Sequence, residues 1–264
     1  MLTLRVLVTF AVEAEFAPWR KRHDFREKQF PMLSRGGSIS LPTAQVGETT
    51  VSVFLTGMGW NTHNDRFRKV LDTWPAMCIS SGLAGALQAS LRLGDVVTTR
   101  RVGELGTDHW IECDRPLVRA AVEQGAVFAE ACITSKRILA SPSQKRATSS
   151  GGDIVDMESY HILTAASGKK APGRLVIRAI SDLADEHLPL DFSKVADANG
   201  HLRLGELAKE IARKPYRVPA LLAFGRKSRQ AAKSLADFLD RFIPVLKDGT
   251  GKWSNERFEQ VKTA

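Results

Sequence analysis

Three pairs of acidic residues stand where chemistry can be placed: Glu13 and Glu15, Asp156 and Glu158, and Asp182 and Asp185. Each pair follows an apolar run. Carboxyl groups at such junctions suit general acid and base work, in which one delivers a proton to a leaving group and another takes one from a nucleophile. The same placement has a structural reading. Acids in a first helical turn meet the positive end of the helix dipole, and Asp182 is a candidate helix N-cap. The chain has no GxxxxGKS/T phosphate loop, no HExxH, no GxSxG elbow and no strand-linked GxGxxG, so kinase, zinc-protease and α/β-hydrolase readings lose their support. His109, beside Trp110, and His187 are isolated and read as ordinary surface or core residues, although His187 lies just past Asp185, where a lid would close. Cys78, Cys113 and Cys132 have no evident His partner and read as buried thiols.

Strands and helices must carry these acids to one place. Residues 4–10 read as a first strand running into a helix that holds Glu13 and Glu15, and residues 38–46 and 50–55 as a hairpin across Gly47-Glu48. Thr56-Gly57-Met58-Gly59 breaks the second hairpin strand, and a helix is predicted over 61–71. The strand at 76–80 leads into Ser80-Ser81-Gly82-Leu83-Ala84-Gly85, read as a glycine-rich turn. Such turns bring backbone N–H groups close to a ligand, which makes Gly57, Ser81, Gly82 and Leu83 a candidate anion or water site. Further strands are predicted at 94–102 and 126–134, a helix at 115–123, and a short basic helix to residue 149 with Ser141 as N-cap and Pro142 at its first position. Asp153 to Met157 leads into a helix at 158–167, and the β-branched run 174–180 ends in Ser181-Asp182. Polar residues at the end of a buried strand are where open α/β sheets place their chemistry. Helices are predicted at 205–213 and 219–246. The alternation implies one α/β domain over residues 1–246, followed by a loose basic extension over 247–264.

Composition narrows the classes. With 264 residues, 43% hydrophobic and 25% charged, the chain has the profile of a globular protein with a sizeable core. No stretch approaches the roughly 20 apolar residues of a membrane helix, and residues 2–12, interrupted by Arg5, read better as a strand than as a secretion signal. Three widely spaced cysteines suggest neither a disulfide framework nor a zinc site, so a cytoplasmic location is the expectation. Of the net charge of +9, residues 203–264 supply most, with 14 Lys and Arg against 7 Asp and Glu, while residues 1–202 carry 24 against 22. That basic end is either a solvated face or a contact for an anionic membrane surface. Aromatic residues do not interleave with it as a nucleic-acid platform requires.

Four segments, in this order, carry a resemblance: Ala11-Val12-Glu13-Ala14-Glu15; Ser81-Gly82-Leu83-Ala84-Gly85-Ala86-Leu87 before Leu93-Gly94-Asp95-Val96-Val97; Val155-Asp156-Met157-Glu158-Ser159; and Arg178-Ala179-Ile180-Ser181-Asp182-Leu183-Ala184-Asp185. Over about residues 4–245 the chain resembles the purine nucleoside phosphorylase and nucleosidase superfamily. The resemblance implies a three-layer α/β/α fold around a twisted mixed sheet that binds a purine nucleoside at strand ends, without a cofactor or metal. Asp182 then matches the acid that protonates the purine, with burial keeping its carboxyl protonated, and Ser181, Leu139 and Ala140 fall in the base-binding stretches. Glu158 matches the carboxylate that accepts ribose hydroxyls, and Met157 packs on the sugar or belongs to the core. Glu15 matches the carboxylate that positions attacking water in the methylthioadenosine and adenosylhomocysteine nucleosidase branch.

The departures are informative. A Gly-x-Pro-x-Arg segment is missing after the first strand, and Leu83 stands where Ser or Thr is common, so both differences favour hydrolysis of an adenosine-type nucleoside over phosphorolysis. Phosphorolysis, with phosphate as co-substrate, stays open through Arg66 or Arg68, which otherwise read as surface. The stretch 135–140 is basic and aliphatic where the nucleosidase branch is small and aromatic. The Asp-Met-Glu-Ser sequence is similar to the branch associated with hopanoid lipid biosynthesis, whose substrate carries adenosine on a polycyclic lipid, and a basic end would suit a site peripheral to a membrane. The resemblance further implies a homo-oligomer, with a dimer favoured. The non-enzymatic alternative is a nucleoside- or nucleic-acid-binding module that keeps the fold.

Overall fold

The computed structural model describes residues 5–32, 36–59, 65–73, 75–167, 173–189, 216 and 218–246. The helix expected at 205–213, the start of the one expected at 61–71 and the extension at 247–264 lie outside them. Buried β-branched runs form the centre: β1 (Arg5–Phe10), β4 (Thr49–Leu55), β5 (Met77–Ala86) and β10 (Gly173–Asp182) lie parallel, β1 between β4 and β5 and β5 paired with β10. Their C-terminal ends therefore open on one side, which brings the segments after β1 and β4 beside the last turns of β5 and β10. β3 (Ser38–Val46) pairs antiparallel with β4 through the expected hairpin, and Gly47, at φ 61°, makes its turn.

The other half of the sheet curls. β6 (Val96–Glu104) runs antiparallel to β10 and parallel to β8 (Val127–Thr134); β8 pairs with β9 (Ile154–Asp156), and β9 returns antiparallel to β5 at Gly85 and Ala86. Those five strands close a ring, so the ends of β5, β8, β9 and β10 face one another. β2 (Arg26–Pro31) and β7 (Trp110–Glu112) are edge strands outside the sequence expectation. β2 is short and mostly polar and β7 has only three residues, and both are mostly exposed, so neither shows the buried alternation that marks a strand.

Helices cover the sheet. α1 (Glu13–Arg20), α2 (Asp65–Leu71), α3 (Arg115–Glu123), α4 (Pro142–Thr148), α5 (Ser159–Ser167) and α6 (Val218–Val245) occupy the predicted places. α5 packs on the strands of the ring, whereas α6 lies across β3, β5, β6 and β10 and touches α1 and α3. The mixed α/β architecture expected of the sequence is present. The apolar stripe of α6, with Leu235, Phe238, Leu239 and Phe242 fully buried, supplies much of this attachment. A polar clasp adds to it: the buried indole of Trp19 donates to Asp240 Oδ1 at 2.7 Å, and Arg22 and His23 reach the same carboxylate.

Asp240→Ala leaves that buried indole N–H without an acceptor. The expected loss is about 1–3 kcal/mol of unfolding free energy, read from urea denaturation. A midpoint equal to that of the unsubstituted chain would show that the clasp does not anchor α6.

Candidate active site

Glu15 projects from the first turn of α1, next to the end of β1. Its carboxyl accepts the backbone N–H of Ala11 at 2.9 Å and that of Leu83 at 3.3 Å, so two strand ends fix it. Its neighbour Glu13 is exposed and pairs with Arg20 on the surface, so of that acidic pair it is Glu15 that meets the strand ends. Glu158, buried between β9 and α5, accepts the Gly59 N–H at 2.8 Å. Between the two acids lies Arg178, 1% exposed, from the interior of β10. Its guanidinium stands 2.8 Å from Asp156 Oδ2 and 3.6 Å from Glu158 Oε2, and it donates to Ser80, Ser159 and the Leu83 carbonyl.

Gly82 makes this approach possible. A Cβ there would lie 2.7 Å from Arg178 Nη1 and 2.8 Å from Glu15 Oε2, and its φ of 134° is one that L side chains rarely adopt. Glu15 and Arg178 thus sit over a bare patch of backbone, close enough for one water to bridge them. Gly82 does not belong to a turn, however. Ser81, Gly82 and Leu83 continue β5 to Ala86, and because a strand alternates its faces it is Ser80 and Gly82 that meet Arg178. The Ser81 hydroxyl is buried with no hydrogen-bond partner, and Leu83 contributes its amide and not its side chain. The candidate anion site is corrected in the same way at Gly57, whose N–H is taken by the Ala11 carbonyl at 2.9 Å. Gly59, which the sequence reading passed over, donates to the site instead. Met157 is half-buried with its Cε beside Gly59, at the rim of the site and outside the core.

A second group lies at the ends of β5 and β10. Asp182 is the last residue of β10, after a register shift that follows Ile180, and it caps no helix. Its Oδ1 accepts the Ser181 hydroxyl at 2.8 Å, and its Oδ2 lies 2.5 Å from Nζ of Lys145, a residue the sequence reading did not single out. Asp182 is therefore engaged in an ion pair with Lys145, a partner the sequence expectation did not include. Gly85 leaves room for it, since a Cβ there would come 2.8 Å from Asp182 Oδ2. Gly82 and Gly85 are three residues apart on β5, on the order of 10 Å, which is the scale of a nucleoside. Leu139 and Ala140 line a cavity of about 360 Å³ with Leu105, Ile138, Arg137 and Gln144, one residue from Lys145 along α4. The loop after β10 is tied down, with Leu188 N–H on the Ala140 carbonyl and Glu186 on Lys227.

The remaining candidates take structural places. Asp156 is held by Thr134 and accepts the Ser159 N–H at the start of α5, His109, His187, Arg66 and Arg68 are exposed, and Trp110 stacks on Arg101 at 4.3 Å. Burial pushes the Cys78 and Cys113 thiols up to about 12, far from a nucleophilic thiolate.

Burial also governs the site's charges. It pushes Glu158 up to about 8, against the pull of Arg178 and with Asp156 and Glu15 adding to it. Burial raises Glu15 too, opposed by Arg178 and the Ala11 and Leu83 amides. Burial works against the Arg178 charge, and the carboxylates of Asp156 and Glu158 outweigh it, so the guanidinium stays above its ordinary value. For Glu158 the linkage has a definite sign. Below pH 4.5 both folded and unfolded chains hold the proton; between 4.5 and about 8 only the folded chain does, so this group's contribution is lost as pH rises, at up to about 1.4 kcal/mol per pH unit. Glu158→Gln cannot lose that proton, so its unfolding free energy should gain on the unsubstituted protein from pH 5 to 8. A gap between the two that stays constant with pH would show that Glu158 is not held protonated.

The sequence profile of the Phosphorylase superfamily matches residues 5–243. No curated protein sequence matches the chain. Among solved structures, it is similar to the S-adenosylhomocysteine nucleosidase of Streptococcus pyogenes, with a TM-score of 0.67 and 18% identity over 93% of this chain and 98% of that one. It is also similar to the 5′-methylthioadenosine/S-adenosylhomocysteine nucleosidase of Helicobacter pylori, with a TM-score of 0.66 and 17% identity over 92% and 99%, and to the futalosine hydrolase of that organism, with 0.65 and 17% over 91% and 97%. At such identities the likeness is one of fold. The profile match spans nearly the whole described chain, from β1 to the end of α6, and with it the protein belongs to the Phosphorylase superfamily.

Proposed function

We propose that the protein cleaves the N-glycosidic bond of an adenosine-type purine nucleoside with water as the acceptor. The observation that carries this reading is the convergence of Glu15 and Glu158 on one guanidinium above Gly82. Arg178 is the cation in that cluster, and its charge is taken up by Asp156 and Glu158. A phosphate dianion needs free cationic donors, whereas a water molecule needs a base and an orienting donor. Glu15 is that base.

The steps follow from the geometry. Ribose hydroxyls hydrogen-bond to Glu158, whose ionised form, populated as pH nears 8, stabilises the positive charge that grows on the sugar as the bond to the base lengthens. Met157, at the rim, packs on the sugar face. Asp182, with Ser181 and Lys145 at its two oxygens, meets the purine, where negative charge collects. Water held by Glu15 attacks C1′ and gives its proton to that carboxyl. The names of the similar structures, nucleosidases and a hydrolase, support the same chemistry for this chain.

Free base should be released from adenosine, methylthioadenosine or adenosylhomocysteine in phosphate-free buffer. Glu15→Gln should lower turnover by about 10²–10⁴-fold, the usual contribution of a general base, with little change in KM. Release that depends strictly on phosphate and yields a sugar 1-phosphate would replace hydrolysis by phosphorolysis. Absence of base release under both conditions would overturn the proposal.

A further inference from the structure

Lys145 is 1% exposed, on the buried face of the short helix α4 with Pro142 and Thr148, between exposed Gln144 and exposed Arg146. Lysine is almost never buried so deeply unless it is paired. Its Nζ donates to Asp182 Oδ2 and to the Leu183 carbonyl, both at 2.5 Å. α4 is itself fixed: Ser141 and Gln144 form a reciprocal capping box, and the loop after β10 is hydrogen-bonded to Ala140 just before it. Removing an ammonium and a carboxylate from water is costly, and an apolar pair of similar volume in the same place is often as stable or more so. The fold thus maintains a charged pair at the end of β10 where a hydrophobic contact would serve stability better.

We propose that the acid of this site is the Lys145–Asp182 pair, with Lys145 as a positioning residue that holds Asp182 Oδ2 and supplies the proton Asp182 passes to the leaving purine. This rests on the nucleosidase reading above. In the resting ion pair both carboxylate oxygens accept hydrogen bonds, Oδ1 from the Ser181 hydroxyl and Oδ2 from Lys145 Nζ. As the C1′–N9 bond breaks and its electron pair moves onto the purine, Lys145 passes a proton to Asp182 Oδ2 and Asp182 delivers a proton to the purine nitrogen. The pair ends as amine and carboxylate. Water's oxygen bonds to C1′, its proton goes to Glu15, and transfer of that proton through solvent back to Lys145 restores the starting state, so that water and nucleoside become free purine and ribose.

The test compares two leaving groups, a purine that needs a proton and p-nitrophenolate from p-nitrophenyl β-D-riboside, which leaves without one. Lys145→Met should lower kcat for methylthioadenosine or adenosine about as far as Asp182→Asn does, by 10²-fold or more, while p-nitrophenyl riboside cleavage falls less than tenfold. The double variant, which leaves no unpaired buried charge, should match Asp182→Asn alone on the purine substrate. Parallel losses on both leaving groups, or a double variant whose loss is the product of the single losses, would overturn the role of Lys145. Should Lys145→Met not fold, the double variant against Asp182→Asn decides the matter. Failure of the unsubstituted protein to cleave any purine nucleoside would overturn the nucleosidase reading itself, and with it this one.

Discussion

Arg178 is the constraint on which the rest of the site depends. A guanidinium in the middle of a buried β-branched strand is tolerable only if its donors are met, and here they are met by two carboxyl groups, two hydroxyls and a carbonyl from two segments, 80–83 of β5 and 156–159 between β9 and α5. Those partners dictate placement. Asp156 has to end β9 beside β10, Glu158 has to begin the turn into α5, and Ser80 and Gly82 have to present the same face of β5. The closed ring of β5, β10, β6, β8 and β9 satisfies these demands together. Without Arg178, Asp156, Glu158 and Glu15 would be buried near one another with no cation, an arrangement whose repulsion and desolvation only protonation could relieve.

In the proposed reaction the same cation favours water as the acceptor. Its charge is matched by acids that the fold needs, so little positive potential is left over the Glu15 side of the site. Lys145 is likewise matched by Asp182. Among the described residues, the cations near the reacting centre are therefore neutralised before any substrate arrives. A neutral nucleophile loses nothing by this, while a dianion would arrive at a site with two enclosed acids and no free donor pair.

Much of the fold was legible because its strands are uniform apolar runs and its helices begin at recognisable signals. β1, β4, β5 and β10 are nearly wholly buried, and Ser141-Pro142 did start a capped helix. The edge strands β2 and β7 were not legible, β2 because an exposed edge selects for charge and not for alternation and β7 because three residues are too few to show a period. In the site, Glu15, Glu158 and Asp182 stood out as acids after strands. Arg178 was missed although it carried a signal, a cation within the apolar run 175–180, four residues before Asp182. Ser81 was preferred to Ser80 because a glycine-rich segment reads as a turn, and only the continued strand shows which face each hydroxyl takes. Lys145 was hidden among neighbouring charges, yet the capping box places it at the fourth helical position, the one that faces the residue before the N-cap and hence the protein interior.

Stability and chemistry oppose each other at these acids. A carboxyl whose folded state holds its proton up to about pH 8 makes the protein less stable at neutral pH than at acid pH, and a buried lysine–aspartate pair is a poor exchange for apolar contact. The fold offsets both with the fully buried stripe of α6, which crosses β5, β6 and β10 behind the reacting groups. That division of labour has a mechanical consequence. Because α6 holds β10 from one side while Arg178 and Asp182 engage partners from β5, β9 and α4 on the other, the two ends of the site cannot move independently. The distance between the Glu15–Glu158 cluster and the Lys145–Asp182 pair is thus set by the rise of two adjacent parallel strands, the stiffest ruler the sheet contains.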